Sequence, residues 1–344
     1  MSYVIGIDLG AGFGAKMAIS PAGSTEIIAR EELPLIDIGT VEALADGLSD
    51  RYDQLVGIAG DSTRVSGIGL ATPGVFSSDG TYITAANLGY LNGRNLRMSL
   101  EERTQVPTAL VNDADSGGLA EWNVARQELL YWAFGGGWGG AWLSAEGEIM
   151  HPSVDWDGED SSLHLTNEPG YATAVHKDEL RELFRETGVD YDLFERLYCE
   201  ADLVGPSGDN NTLRAEKIVS NKGMHMIMRA VVGDDGRYAH ITRDNLQELT
   251  QMAENGDAAA LFVNIAFGAV VGLAGNYVLK CAAEDGAPAD IPIYVGGGVG
   301  RALTYFGDSA EQVLNSYGYQ SRLMPSQIKE GANLMGALVA ADRL

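Results

Sequence analysis

One pattern constrains this chain more than any other, and it occurs twice. At residues 4–20 the run VIGIDLGAGFGAKMAIS reads as an apolar strand, a glycine turn and a second strand. At residues 129–144 the run LLYWAFGGGWGGAWLS reads the same way. β-Branched and aromatic residues favour a buried, pleated strand. Closely spaced glycines let the turn approach a ligand with no Cβ in the way. Successive backbone N–H groups in such a turn make a concavity for anions. Two copies of one unit predict a duplicated α/β architecture. For the first copy two readings stand open. One is a nucleotide phosphate loop in which Asp8 faces Mg2+, because a carboxylate meets phosphate only through a metal or a water. The other is a plain hairpin with a solvated Asp8.

The remaining segments predict a sheet framework around these turns. A third strand is expected over 25–29, a helix over 40–55 and a strand over 65–70 that runs into ATPGVF. An irregular stretch carrying Asn87 follows. A helix over 96–104 leads to a strand over 108–111 that ends in Asn112-Asp113, and the small residues after it open another helix. One helix is expected over 178–201, and two within 245–283, split at Asn255-Gly256. A strand over 291–295 ends in Gly296, Gly297 and Gly298, and a small-residue helix over 328–344 closes the chain. Ligands of open α/β sheets gather beyond the strand ends, so these four strand ends predict one shared cleft.

Length and charge bound the function. The chain has 344 residues, enough for about two domains. Its formal net charge of -25 repels nucleic acid and anionic membranes. It also repels free nucleotide, so ATP would need Mg2+ and a local nest of amides. The two cysteines, Cys199 and Cys281, exclude a disulfide scaffold and a cysteine-built structural zinc site. The opening MSYVIGIDLG lacks a basic, then apolar, signal pattern. The apolar stretch 262–279 is interrupted by Asn264 and Asn276 and predicts a buried core helix. A cytoplasmic location is expected. Asp155, Asp157, Glu159 and Asp160 lack the later ligands of a calcium loop. His151, His164 and His176 show no metal-ligand spacing.

In order and spacing these runs resemble the ROK group of sugar kinases and related repressors, within the actin and hexokinase superfamily. Asp8-Leu9-Gly10-Ala11-Gly12 is similar to the first phosphate loop of that family, and Asn87-Leu88-Gly89-Tyr90 to its sugar loop. Asn112-Asp113-Ala114, with Leu119-Ala120-Glu121-Trp122 after it, is similar to the catalytic motif. The glycines at 135–140 resemble the second phosphate loop and Gly296-Gly297-Gly298-Val299 the adenosine loop. Asn167-Glu168-Pro169-Gly170-Tyr171 echoes a sugar-binding Gly-Glu-x-Gly-His. Three departures stand out. Gly12 and Phe13 occupy the places of a threonine and a lysine. Tyr171 replaces a histidine that touches sugar and commonly ligates zinc. The cysteine-rich zinc knuckle is missing, so no zinc is expected.

The resemblance implies a two-lobed, actin-like (ribonuclease H-like) α/β fold. Residues 1–112, closed by the helix 328–344, would form the N-terminal lobe and residues 113–327 the C-terminal lobe. It implies transfer of the γ-phosphoryl group of ATP to a sugar hydroxyl, with Asp113 as general base. Asn87, Asn112, Asp113, Glu168 and Tyr171 would meet the sugar. Gly10, Gly12, Gly136 and Gly137 would present amides to phosphates, Asp8 would hold Mg2+ through water, and Gly297 and Gly298 would leave room for adenosine. A small-molecule sugar and a second copy of the chain, in a homodimer, are the expected partners. The residues alone admit plainer readings: Asp113 as a helix cap, Asn112 as a strand-end turn, Glu168 as a loop acid and Tyr171 as half-buried packing. A non-catalytic sugar or nucleotide sensor on the same fold is the alternative function. An actin-like assembly protein is a third, disfavoured by the intact Asn112-Asp113 pair.

Overall fold

A computed structural model describes residues 2–10, 14–60, 63–85, 88–151, 169–200 and 211–344. In the first half the elements are β1 (Ser2–Gly10), β2 (Gly14–Pro21), β3 (Ala29–Leu33), α1 (Val41–Ala59), β4 (Arg64–Thr72), β5 (Val75–Phe76), β6 (Tyr82–Thr84), α2 (Leu96–Thr104), β7 (Thr108–Asn112) and α3 (Asp113–Ala125). The second half begins with β8 (Leu129–Phe134), β9 (Trp138–Leu143), β10 (Ile149–Met150), α4 (Pro169–Ala172), β11 (Ala174–His176), α5 (Lys177–Thr187) and α6 (Tyr191–Glu200). It continues through β12 (Thr212–Arg214), α7 (Ala215–Ile218), α8 (Asn221–Val232), α9 (Gln247–Glu254) and α10 (Ala258–Glu284). It ends with β13 (Ile293–Gly296), α11 (Gly297–Gly300), α12 (Leu303–Ser316), β14 (Leu323–Pro325) and α13 (Ala332–Ala341).

The two predicted strand–turn–strand units each seed a five-stranded sheet. The first sheet runs β3-β2-β1-β4-β7 and the second β10-β9-β8-β13-β14. Their directions match strand for strand. β1 is antiparallel to β2 and parallel to β4, which is parallel to β7. β8 is antiparallel to β9 and parallel to β13, which is parallel to β14. The duplication expected from the sequence is therefore a duplication of sheet topology.

Alternation along β1 decides what covers each face. Ile5, Ile7 and Leu9 point into a core shared with Leu44 and Leu48 of α1 and with Leu96 of α2. Val4 points the other way, onto Leu338 of α13. In the second sheet Leu130, Trp132 and Phe134 face α10 and α12, while Leu129 and Tyr131 share a cluster with Leu119 and Trp122 of α3. Each sheet thus buries both faces, and each borrows one cover from the other half. α3 follows the last strand of the first sheet and packs on β8 and β9. α13 follows the last strand of the second sheet and packs on β1 and β4. The two borrowed helices cross in contact, so close that a Cβ on Gly336 would overlap the carbonyl oxygen of Ser116.

Three expectations change. The third strand is Ala29–Leu33, not 25–29. Its register is set by β2, with Ile19 opposite Ala29, and its sequence AREEL carries the charge that suits an edge strand. The helix expected over 178–201 is two helices, α5 and α6, because Gly188 takes a left-handed conformation (φ 73°) at the end of α5. The closing helix starts at Ala332, after Gly331 at φ 70°. The apolar stretch 262–279 lies inside α10, which by length and composition could cross a membrane. As expected of a core helix, 72% of its most apolar window is buried inside the fold.

Candidate active site

Strand register brings the first two acids together. Asp8 lies in β1 beside Ala71 of β4, and Thr72 of β4 pairs with Asn112 at the end of β7. Asp113 is the next residue, the first of α3. Asp8 therefore sits within a strand rather than past its end, and Asp113 stands at the same end of the sheet two strands away. Asp8 shares the β1 face of Val4 and Gly6, the face that α13 covers.

Asn112 takes the capping task. Its Oδ1 accepts from the Ala114 N–H at 2.8 Å, and its Nδ2 donates to the Gly74 carbonyl at 3.1 Å. The side chain is fully buried. Asn112, expected to meet sugar hydroxyls, thus has its oxygen and its amide hydrogen-bonded to the backbone of the fold. Asp113 is left partly open, with one carboxylate oxygen 2.9 Å from the Ala114 N–H. Burial pushes its carboxyl above the usual range, and the charge on Asp8 adds to the push, against hydrogen bonds from the Ala114 N–H and its own. Burial also raises Asp8, opposed by a hydrogen bond from the Asn333 side chain and by the charge of Lys16.

The glycine turns approach the same region. Gly10 closes the first hairpin opposite Gly14. Gly135 and Gly136 face open space, whereas a Cβ on Gly137 would lie 2.8 Å from Glu216 Oε1. Gly297 has φ 80°, and a Cβ there would overlap the Phe134 carbonyl oxygen, so this turn is held to the end of β8; Gly298 faces open space. Tyr131 lies beneath the turn, buried, its phenol pushed up to about 12 by burial and by the charges of Glu121 and Asp113. It stays a neutral phenol that links the acid end of α3 to the β13 turn.

Three residues of this region escape the sequence reading. Lys16 pairs directly across the hairpin from Asp8 and supplies a cation where the net charge is strongly negative. Glu216, at the start of α7, reaches the Gly137 turn and backs onto Gly170, and its Oε2 is buried without a hydrogen-bond partner among the described residues. Asn333 begins α13 beside Asp8. The only signals in the sequence are a lysine on the strand after the glycines, an acid in an unpatterned stretch and an asparagine among small residues. Gly12, Asn87 and Glu168, the acidic run at 155–160 and His164 lie outside the described residues, as does the side chain of Tyr171.

A Mg2+ ion suits the donors present. Asp8 and Asp113 offer two carboxylates, near enough that the charge on Asp8 raises Asp113. Mg2+ is usually held by one or two carboxylates together with substrate phosphates and waters.

The family model for the ROK family matches residues 4–151. That match spans somewhat less than half of the chain and makes the segment similar to the ROK family. The glucokinase of Halalkalibacterium halodurans is 31% identical over 175 residues, which cover 49% of this chain and 52% of that protein. The chain thus spans about half the length of that curated relative. Solved ROK structures extend the likeness to the whole fold. A ROK family glucokinase from Streptomyces griseus, in complex with glucose and AMPPNP, superimposes with a TM-score of 0.65 at 16% identity, covering 99% of this chain and 100% of that one. A ROK family transcriptional regulator superimposes with a TM-score of 0.71 at 17% identity, covering 99% and 78%. The two-lobed α/β architecture of ROK proteins is therefore the fold of this chain.

Proposed function

We propose that this chain is a ROK-type, ATP-dependent sugar kinase that transfers the γ-phosphoryl group to a hydroxyl of a hexose or related polyol. The observation that carries the reading is Asp113. It opens α3 at a strand end, its neighbour Asn112 does the capping, and its carboxylate is partly open beside Asp8. Asp113 takes the proton of the sugar hydroxyl as the hydroxyl oxygen bonds to the γ-phosphorus and the bond to the β–γ bridging oxygen breaks, releasing ADP. A raised carboxyl pKa suits a base that must accept a proton. The N-terminal end of α3 carries partial positive charge that steadies the carboxylate until then.

Other side chains take supporting parts. Glu216 Oε2, buried and without a partner among the described residues, accepts from sugar hydroxyls. Asn87, Glu168 and Tyr171 remain proposed sugar contacts on the strength of the family resemblance. The amides of Gly10, Gly12 and Gly136, with Gly137 behind them, face phosphate, and Lys16 adds a cation. Gly297 and Gly298 leave the adenosine its space. Asp8 would hold Mg2+ through water, and the ion would neutralise triphosphate charge. We take residues 1–112 with the closing helix as one lobe and 113–327 as the other, and a cytoplasmic homodimer as the working form.

The test is ADP release from Mg2+-ATP across a panel of sugars. Sugar-dependent release by folded protein supports the reading, and its absence across the panel sinks it. The likeness to a transcriptional regulator favours a second reading, a non-catalytic sugar or nucleotide sensor. Calorimetric sugar binding with no turnover on any panel member would select it.

A further inference from the structure

We infer that Asn333 is a positioning residue, which fixes the Asp8 carboxylate in the orientation that a Mg2+-bound nucleotide meets. The inference rests on the kinase reading of the site and adds a residue from the far end of the chain.

Three observations carry it. Strand alternation places Asp8 on the β1 face of Gly6, and a Cβ on Gly6 would lie 2.9 Å from the Leu334 carbonyl oxygen. The first turn of α13 is therefore pressed against the acid end of β1, which brings the Asn333 side chain beside the Asp8 carboxylate. Next, the backbone of Asn333 is pinned. Ser116 Oγ, on a fully buried residue of α3, donates to the Asn333 carbonyl at 2.7 Å. Ser116 follows Asp113 by three residues on the same helix, so Asn333 spans from the helix of one acid to the side chain of the other. Last, the chain entering α13 is held to α3 by a second fastening. Glu121, fully buried, accepts from Ser326 Oγ at 2.7 Å and from the Gln327 N–H at 3.0 Å.

The chemistry fits the position. Asn is uncharged, so it adds no repulsion beside two carboxylates, and its Nδ2 donates while its Oδ1 can accept. A hydrogen bond to a carboxylate that faces a metal orients that ligand, and losing such a partner typically costs 10–100-fold in metal affinity. Asn333 is carried by the helix that the second half of the chain lends to the first sheet. The Asp8 orientation therefore depends on how α13 lies across α3.

Calorimetry with Mg2+-ADP, beside calorimetry with the sugar that the panel identifies, tests this. Asn333→Ala, which favours helix, is expected to weaken Mg2+-ADP by about tenfold while sugar affinity stays within about twofold of the unmodified protein. Asn333→Asp keeps the shape and suits a helix N-terminus. It should retain the thermal midpoint, yet weaken Mg2+-ADP more than Ala does, because it sets a third carboxylate against Asp8. Mg2+-ADP binding by both variants within about twofold of the unmodified protein overturns the assignment. So does an equal loss of sugar and nucleotide affinity, which would mark a general loosening. Protein that binds Mg2+-ADP in its unmodified form but ignores the Asn333 changes leaves the kinase reading standing. Unmodified protein that binds none removes the nucleotide reading, and this assignment with it.

Discussion

Asp113, the proposed base, lives with two opposed demands. Catalysis wants a desolvated carboxylate close to other charges, and folding does not. Its carboxyl is raised chiefly by burial, with Asp8 adding to the shift. The native state therefore holds a proton to a higher pH than the unfolded chain does. The unfolded state binds fewer protons in that window, so this group makes stability fall as pH rises through it. Asp113→Asn removes the charge and keeps the shape. It should raise the thermal midpoint at neutral pH while cutting kcat by about 10²–10⁴-fold, as read by calorimetric melting and by ADP release. In the unmodified protein, turnover should fall on the acid side at a pH above the ordinary carboxylate range, because the base must be unprotonated. Asn112 is the opposite case. Asn112→Ala removes a helix cap and leaves the Gly74 carbonyl without its donor, for a loss of about 2 kcal/mol in denaturant unfolding.

The borrowed helices α3 and α13 show how a sequence of small residues becomes a joint. GIGLA in β4 and ANLMGAL in α13 look like low-information runs, yet Gly67, Gly69 and Gly336 meet backbone rather than solvent. A Cβ on Gly69 would overlap the Ala337 carbonyl oxygen, and one on Gly336 that of Ser116. Gly336→Ala must push α13 off α3 and should cost about 3 kcal/mol. Gly298→Ala meets nothing within 4 Å. It should leave the melting temperature unchanged and lower nucleotide affinity, since its added methyl enters the space proposed for adenosine. The pair separates packing glycines from ligand glycines, a distinction that glycine spacing alone does not carry. Residues 178–201 teach the same point. Their apolar spacing is continuous, but the turn at Gly188 lets Phe184 and Phe194 meet edge to face at 5.0 Å.

For the whole molecule, charge is the dominant property. Lys and Arg together number 23 against 48 Asp and Glu. Described ion pairs such as Arg181–Asp178 and Arg185–Glu182 are solvent-exposed and add little. Self-repulsion of the folded state is screened by salt. The thermal midpoint should therefore climb as KCl is raised from low to molar concentration, and a flat or falling midpoint would contradict this. The sequence by itself determined the architecture, because a strand–glycine turn–strand unit is a local pattern of backbone freedom and apolar side chains, and its repetition implies a repeated sheet. It also singled out Asp113 and the turn glycines, which mark strand ends, and Asp8 two residues before one. Only the tertiary structure decided which strand of residues 25–33 forms the edge, that Asn112 caps α3, that Lys16 and Asn333 arrive beside Asp8, and that Glu216 reaches the Gly137 turn. Those outcomes depend on register and on the crossing of α3 with α13, contacts between residues as far apart as Ser116 and Asn333, and no local pattern encodes them.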